Sequence, residues 1–148
     1  MWSVIVIALA GVLTGPDASW MWPVKHAPAV VRAFDAPDSP WGPGHRGIDL
    51  AASRGDRVIA PVSGTIHFSG RVVNRGIITI KTREGHLVSI EPVVATFTGR
   101  TVKAGDTLGT VGSGHCAGGC LHIGLRVGGD YRSPASELGV LTRAVLVR

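Results

Sequence analysis

His45 and Asp49 stand four residues apart, and Cys120 and His122 lie two apart far downstream. On a strand, residues at i and i+2 share a face, so Cys120 and His122 can point into one cavity. Two imidazole nitrogens and one carboxylate oxygen suit zinc and leave one tetrahedral position open. A hydrolytic zinc site needs that opening, because the ion binds a water there and lowers its pKa towards neutrality. Spacing alone equally allows each histidine to be packed or solvated singly, since six histidines fall in 148 residues. His67 sits inside a strand pattern and is expected to be packed, while His26 belongs to a Pro-rich lead-in.

The segments that must position these residues read as short strands. Apolar runs at Arg57–Ala60, Gly64–Phe68, Arg71–Val73, Ile77–Lys81, Leu87–Ile90, Thr107–Val111 and Leu121–Val127 alternate with turn signals. Among these signals are Ser69–Gly70, Asn74–Arg75–Gly76, Glu91–Pro92 and Gly112–Ser113–Gly114. Turn signals spaced by roughly 8–12 residues argue for an all-β antiparallel sandwich or barrel. Only Ala135–Leu141, after Ser133–Pro134, has room for a short helix. Residues 20–41 carry four prolines and read as an extended lead-in along the domain edge, because proline cannot donate to a central ladder.

Residues 1–19 differ from the rest. Ser3–Thr14 is apolar and uncharged, and Gly15–Pro16, Ala18 and Ser19 follow it. That length suits a signal-peptide core and is short for a bilayer span, so export and cleavage near Ala18 to Trp20 are expected. The alternative is a buried N-terminal strand. Hydrophobic residues at 45% supply a core, and a net charge of +5 favours an anionic partner. The fifteen Lys and Arg are scattered, and only Tyr131 adjoins one as a stacking platform would, which argues against nucleic acid. Membrane contact is expected only through the N-terminal segment if it is retained.

Four segments together resemble the lysostaphin-type zinc metallopeptidases, cell-wall endopeptidases with a fold called the duplicated hybrid motif. They are Gly44–Ala52 (GHRGIDLAA), Ala60–Ile66 (APVSGTI), Val102–Gly112 (VKAGDTLGTVG) and Leu121–Gly124 (LHIG), in the family's order and spacing. The resemblance spans residues 42–135, leaving 136–148 as a tail, and Tyr131–Pro134 matches a stretch that commonly follows. The shortened Glu91–Val93 and Gly114–Cys116 segments resemble an actinobacterial branch. The resemblance implies that His45, Asp49 and His122 are zinc ligands. It also implies two auxiliary histidines beside the zinc-bound water, at positions where this chain has Cys120 and Pro92. Glu91 and His115 are the candidate substitutes, with His86 beside the lost segment. Each has an ordinary alternative: a solvated strand-end charge for Glu91, a loop residue for His115, a hairpin tip for His86.

Cys116 and Cys120 bracket Ala117–Gly118–Gly119. In an exported protein a disulfide is the expected state. The competing reading makes the Cys120 thiolate a fourth zinc ligand, which would close the coordination sphere and leave a structural site. Two functions follow. One is a secreted zinc metalloendopeptidase acting on peptidoglycan stems or cross-bridges. The other is a degenerate zinc- or peptidoglycan-binding module that regulates other cell-wall hydrolases, favoured by the missing histidines. Val102–Gly109 also resembles the turn of lipoyl- and biotin-carrier domains, but those require a lysine at a hairpin tip that this sequence lacks.

Overall fold

Alternation of apolar and polar side chains decides which side of each strand turns inward. In β10 (Cys120–Val127), Leu121, Ile123 and Leu125 are buried in the core, while His122, Gly124 and Arg126 take the other face. The same rule puts Ile48 and Leu50 of β2 (Ile48–Ala51) inside and Asp49 outside. Val88 and Ile90 of β6 (Leu87–Glu91) point in, leaving Ser89 and Glu91 on the outer face, and Ile78 and Ile80 of β5 (Arg75–Lys81) flank Thr79.

This computed structural model describes residues 20–25 and 28–140; the apolar start over 1–19, His26 and residues 141–148 lie outside them. The remaining strands are β1 (Val30–Arg32), β3 (Arg57–Ile59), β4 (Gly64–Val72), β7 (Val93–Ala95), β8 (Thr101–Val102), β9 (Thr107–Val111) and β11 (Asp130–Arg132). They form an eight-stranded sheet ordered β1-β2-β10-β6-β5-β4-β8, with β11 beside β10, and a three-stranded sheet ordered β3-β9-β7. All pairings are antiparallel. Val58, Val93, Leu108 and Val111 of the small sheet join the core built on Ile48, Leu50, Ile80, Ile90 and Leu121. The expected all-β architecture is thus what the chain adopts.

Three local expectations need correction. Ser69–Gly70 does not turn the chain: β4 runs through it, and the hairpin turns at Val73–Asn74, with Val72 paired to Arg75. His67 is not packed. The β4–β5 register shifts between Ile66 and Phe68, and the extra residue of this bulge faces outward, so His67 is exposed. The described part of the expected C-terminal helix is a set of turns. Leu138 N–H donates to the Pro134 carbonyl, but the next bonds fall to other spacings and Gly139 leaves at φ 70°. Buried Leu138 is what this segment contributes.

Candidate metal centre

The register of three neighbouring strands builds the site. β10 pairs with β2 so that His122 lies opposite Asp49, and with β6 so that His122 lies opposite Glu91. His45 reaches the same spot from the loop before β2, where an isolated bridge ties it to Asp35. Gly47 makes the close approach feasible. A Cβ there would overlap the Ile123 carbonyl and stand 2.6 Å from His122 Nε2. Gly47→Ala is therefore expected to cost about 1–3 kcal/mol through overpacking. Thermal melting would measure it, and an unchanged Tm would contradict the account.

Three imidazoles converge on one buried carboxylate oxygen. Asp49 Oδ1 lies 2.7 Å from His122 Nδ1, 3.1 Å from His45 Nε2 and 3.0 Å from His115 Nε2. Those four ligand atoms all fall within 4.8 Å of one another. His45 Nδ1 is 2.7 Å from the Ala33 carbonyl, which can only accept, so the ring donates from Nδ1. A neutral His45 then turns the Nε2 lone pair towards Asp49 Oδ1. Two acceptors at that range repel unless a cation lies between them. This donor set fits a divalent ion, and the backbone bond at the far nitrogen is the support a metal-ligating histidine usually has.

The electrostatics agree. Burial raises the Asp49 pKa, but the hydrogen bond with His122 and the nearby His115 and His122 charges outweigh it, and the net shift is downward. For His122, burial dominates and lowers the pKa, with the hydrogen bond and charge of Asp49 opposing. The pair therefore rests as carboxylate beside neutral imidazole, the protonation states a metal requires. Both folded values lie below the unfolded ones, 6.5 for His122 and 3.8 for Asp49. On acidification the unfolded chain takes up these protons first, so the metal-free protein should lose stability below pH 6.5 and again below 3.8. Tm followed from pH 8 to pH 4 tests the upper step, and a Tm that rises between pH 7 and pH 5 would overturn it.

Beyond this knot, His115 Nδ1 is 3.7 Å from Glu91 Oε1, an ion-pair separation too long for a hydrogen bond. Arg75 Nε donates to Glu91 Oε2 at 2.8 Å and holds that carboxylate in place. His86 lies at the turn before β6, hydrogen-bonded to Thr82, at the opposite end of the strand from Glu91. Cys116 and Cys120 are joined as a disulfide, with Cα atoms 5.7 Å apart, which ties the loop carrying His115 to the start of β10. A bonded pair offers no thiolate. Their sulfurs nonetheless sit with the ligand atoms of Asp49 and His115 inside 4.8 Å, so a reduced pair would be within ligand range. Sequence reasoning missed Arg75, which it read as a turn residue, and the Ala33 carbonyl, since backbone acceptors leave no mark on a sequence.

An open groove of about 480 Å³ runs from His122 and Glu91 over the outer face of the large sheet. A cluster of histidines and a carboxylate that could hold a metal ion, beside a groove on an all-β domain, is the arrangement expected of a metallopeptidase-type protein. Residues 43–134 match the family described as Peptidase family M23, and the chain belongs to that family. An uncharacterised protein of Mycobacterium tuberculosis is 41% identical over 116 residues, covering 76% of this chain and 47% of that one. Murein hydrolase activator NlpD of Escherichia coli is 29% identical over 128 residues, covering 83% and 32%. The chain thus spans about half the length of the first relative and a third of the second. The solution structure of lysostaphin superposes with a TM-score of 0.57 at 23% identity, covering 71% of this chain and 48% of that one, a likeness of fold.

Proposed function

We propose that the protein is a zinc-dependent endopeptidase of the cell envelope, acting on the peptide part of peptidoglycan, with His45, Asp49 and His122 as its zinc ligands. The observation that carries this reading is the convergence of three imidazoles on Asp49 Oδ1 beside an open groove. A zinc ion held there would supply Lewis acidity at a scissile carbonyl and would lower the pKa of a water towards neutrality. The chain's residues do the rest. Asp49 and the neutral rings of His45 and His122 hold the ion, the Ala33 carbonyl fixing the His45 tautomer. His115 takes the place of the family's auxiliary histidines, accepting or releasing a proton at Nε2. Glu91, held by Arg75, faces its Nδ1 at 3.7 Å. The basic net charge assists approach to an anionic wall, and export through the N-terminal segment would bring the chain there.

A second reading has its own support. Cys120 stands where the family has a histidine and is tied up in a disulfide, and NlpD is by name an activator of murein hydrolases. In this reading His115 is a fourth ligand, and the site binds zinc without turnover. Mature protein loaded with zinc should release soluble peptide fragments from purified sacculi between pH 6 and pH 9. Zinc-bound protein that is retained on sacculi without release would support the regulator instead.

A further inference from the structure

The groove does not end at the metal centre. On β10, His122, Gly124 and Arg126 share the outer face, and Arg126 lies opposite Tyr131 of β11. The guanidinium carbons of Arg126 and of Arg46, from the loop beside His45, each lie 5.4 Å from the centre of the Tyr131 ring, within cation–π range. Arg46, Arg126 and Tyr131 all line the groove. Two positive charges are thus gathered about one aromatic ring. Neither forms an ion pair with any carboxylate among the described residues. Among the described residues, Arg46 spends only Nη2, on the Pro40 and Gly42 carbonyls, and Arg126 only Nε, on the Gly129 carbonyl. Arg46 Nε and Nη1 and both terminal nitrogens of Arg126 remain available as donors.

The floor between the two ends is low. Gly124 has no side chain, and opposite it Ser89 and Thr79 bond to each other through their hydroxyls at 2.9 Å. An extended peptide can therefore lie along it. From His122 to Arg126 is four residues of strand, or about 13 Å at ~3.3 Å per residue. An extended ligand has the same rise.

We propose that Arg46, Tyr131 and Arg126 form a carboxylate-reading subsite that selects extended peptides carrying a carboxylate three to four residues from the group held at the metal centre. Guanidinium groups suit this task, since their planar donors match a carboxylate and stay charged at all working pH. The proposal rests on the metallopeptidase reading for the direction in which the ligand lies, but its test uses binding alone.

Binding of N-acetyl-tetra-alanine to the zinc-loaded chain can be measured by NMR titration. Its free carboxylate form is set against its carboxamide and against N-acetyl-Ala-Ala-Ala-Glu-amide. A terminal and a side-chain carboxylate are thereby separated. The subsite predicts about tenfold tighter binding of at least one carboxylate form than of the carboxamide, with shifts at Tyr131. Arg126→Gln and Arg46→Gln should each shrink that preference towards unity while the variants still fold, as a cooperative melting transition shows. Equal binding of all three peptides, no binding of any, or a preference that survives both substitutions overturns the proposal. Sacculus cleavage or zinc binding that persists in such a case leaves the metallopeptidase reading standing.

Discussion

Asp49→Ala is expected to lower zinc affinity by at least ~100-fold, beyond what altering an outer partner of a metal ligand usually costs. The reason is geometric. Asp49 Oδ1 is the point on which His45, His115 and His122 converge, so its removal takes away both a proposed ligand and the acceptor facing His115 and His122. The side chain lies on the outer face of β2, away from Leu50 and Ile48, and so the core is untouched. The metal-free variant should still lose about 1–3 kcal/mol, because a buried imidazole donor is left without its partner. Zinc at 100 times its dissociation constant should raise the stability of the parent by about 2.7 kcal/mol and leave the variant almost unmoved. Melting curves with and without zinc, together with calorimetric titration, measure both effects. A variant that binds zinc like the parent would sink the ligand assignment.

His115→Gln should separate the two functional readings by effects of opposite kind. Where His115 serves as the proton-transfer group, hydrolysis falls by ~10²–10⁴ while zinc affinity stays close to that of the parent. Where His115 is a fourth ligand, the variant loses zinc affinity and the parent has no hydrolysis to lose. Glu91→Gln sharpens the comparison. It keeps the shape of the residue bonded to Arg75 but removes the charge 3.7 Å from His115 Nδ1. In the hydrolytic reading the rate should fall in this variant while zinc affinity stays close to that of the parent. An unchanged rate would remove Glu91 from the proton-transfer machinery.

How much of this could be read from the chain varies with the range of the interaction. Alternation through Leu121–Leu125 and Ile48–Leu50 is a local signal, and it assigns core and outer face correctly. Turn residues spaced along the chain indicated the antiparallel all-β class for the same reason. The grouping of His45, Asp49 and His122 was legible only through resemblance, because 73 residues separate Asp49 from its partner on β10. Strand register, a property of the assembled sheet, sets Glu91 opposite His122. Arg75 stayed hidden because its importance comes from an ion pair across 16 residues. Ser69–Gly70 and His67 failed differently: propensity marked a break at Ser69–Gly70 that pairing with β5 overrode, while the strand pattern around His67 gave no sign of the bulge that turns it outward.

Trimming of the N-terminus is constrained by the bond from His45 to the Ala33 carbonyl. Upstream of it, Trp20 N–H is held by the Glu137 carbonyl, Met21 N–H by that of Pro61, and the Pro23 carbonyl accepts from Ile59. A protease that cuts anywhere before Trp20 leaves all of these intact. A cut just after Pro28 releases the upstream clasp but spares the Ala29 carbonyl, which accepts from Ala51 N–H, and with it the pairing of β1 with β2. Once cleavage passes Ala33, the acceptor that dictates the His45 tautomer departs with the fragment, and the ring is free to present the wrong nitrogen. Any trimming that removes Ala33 would therefore loosen the His45 ring without removing a single residue of the histidine–aspartate cluster.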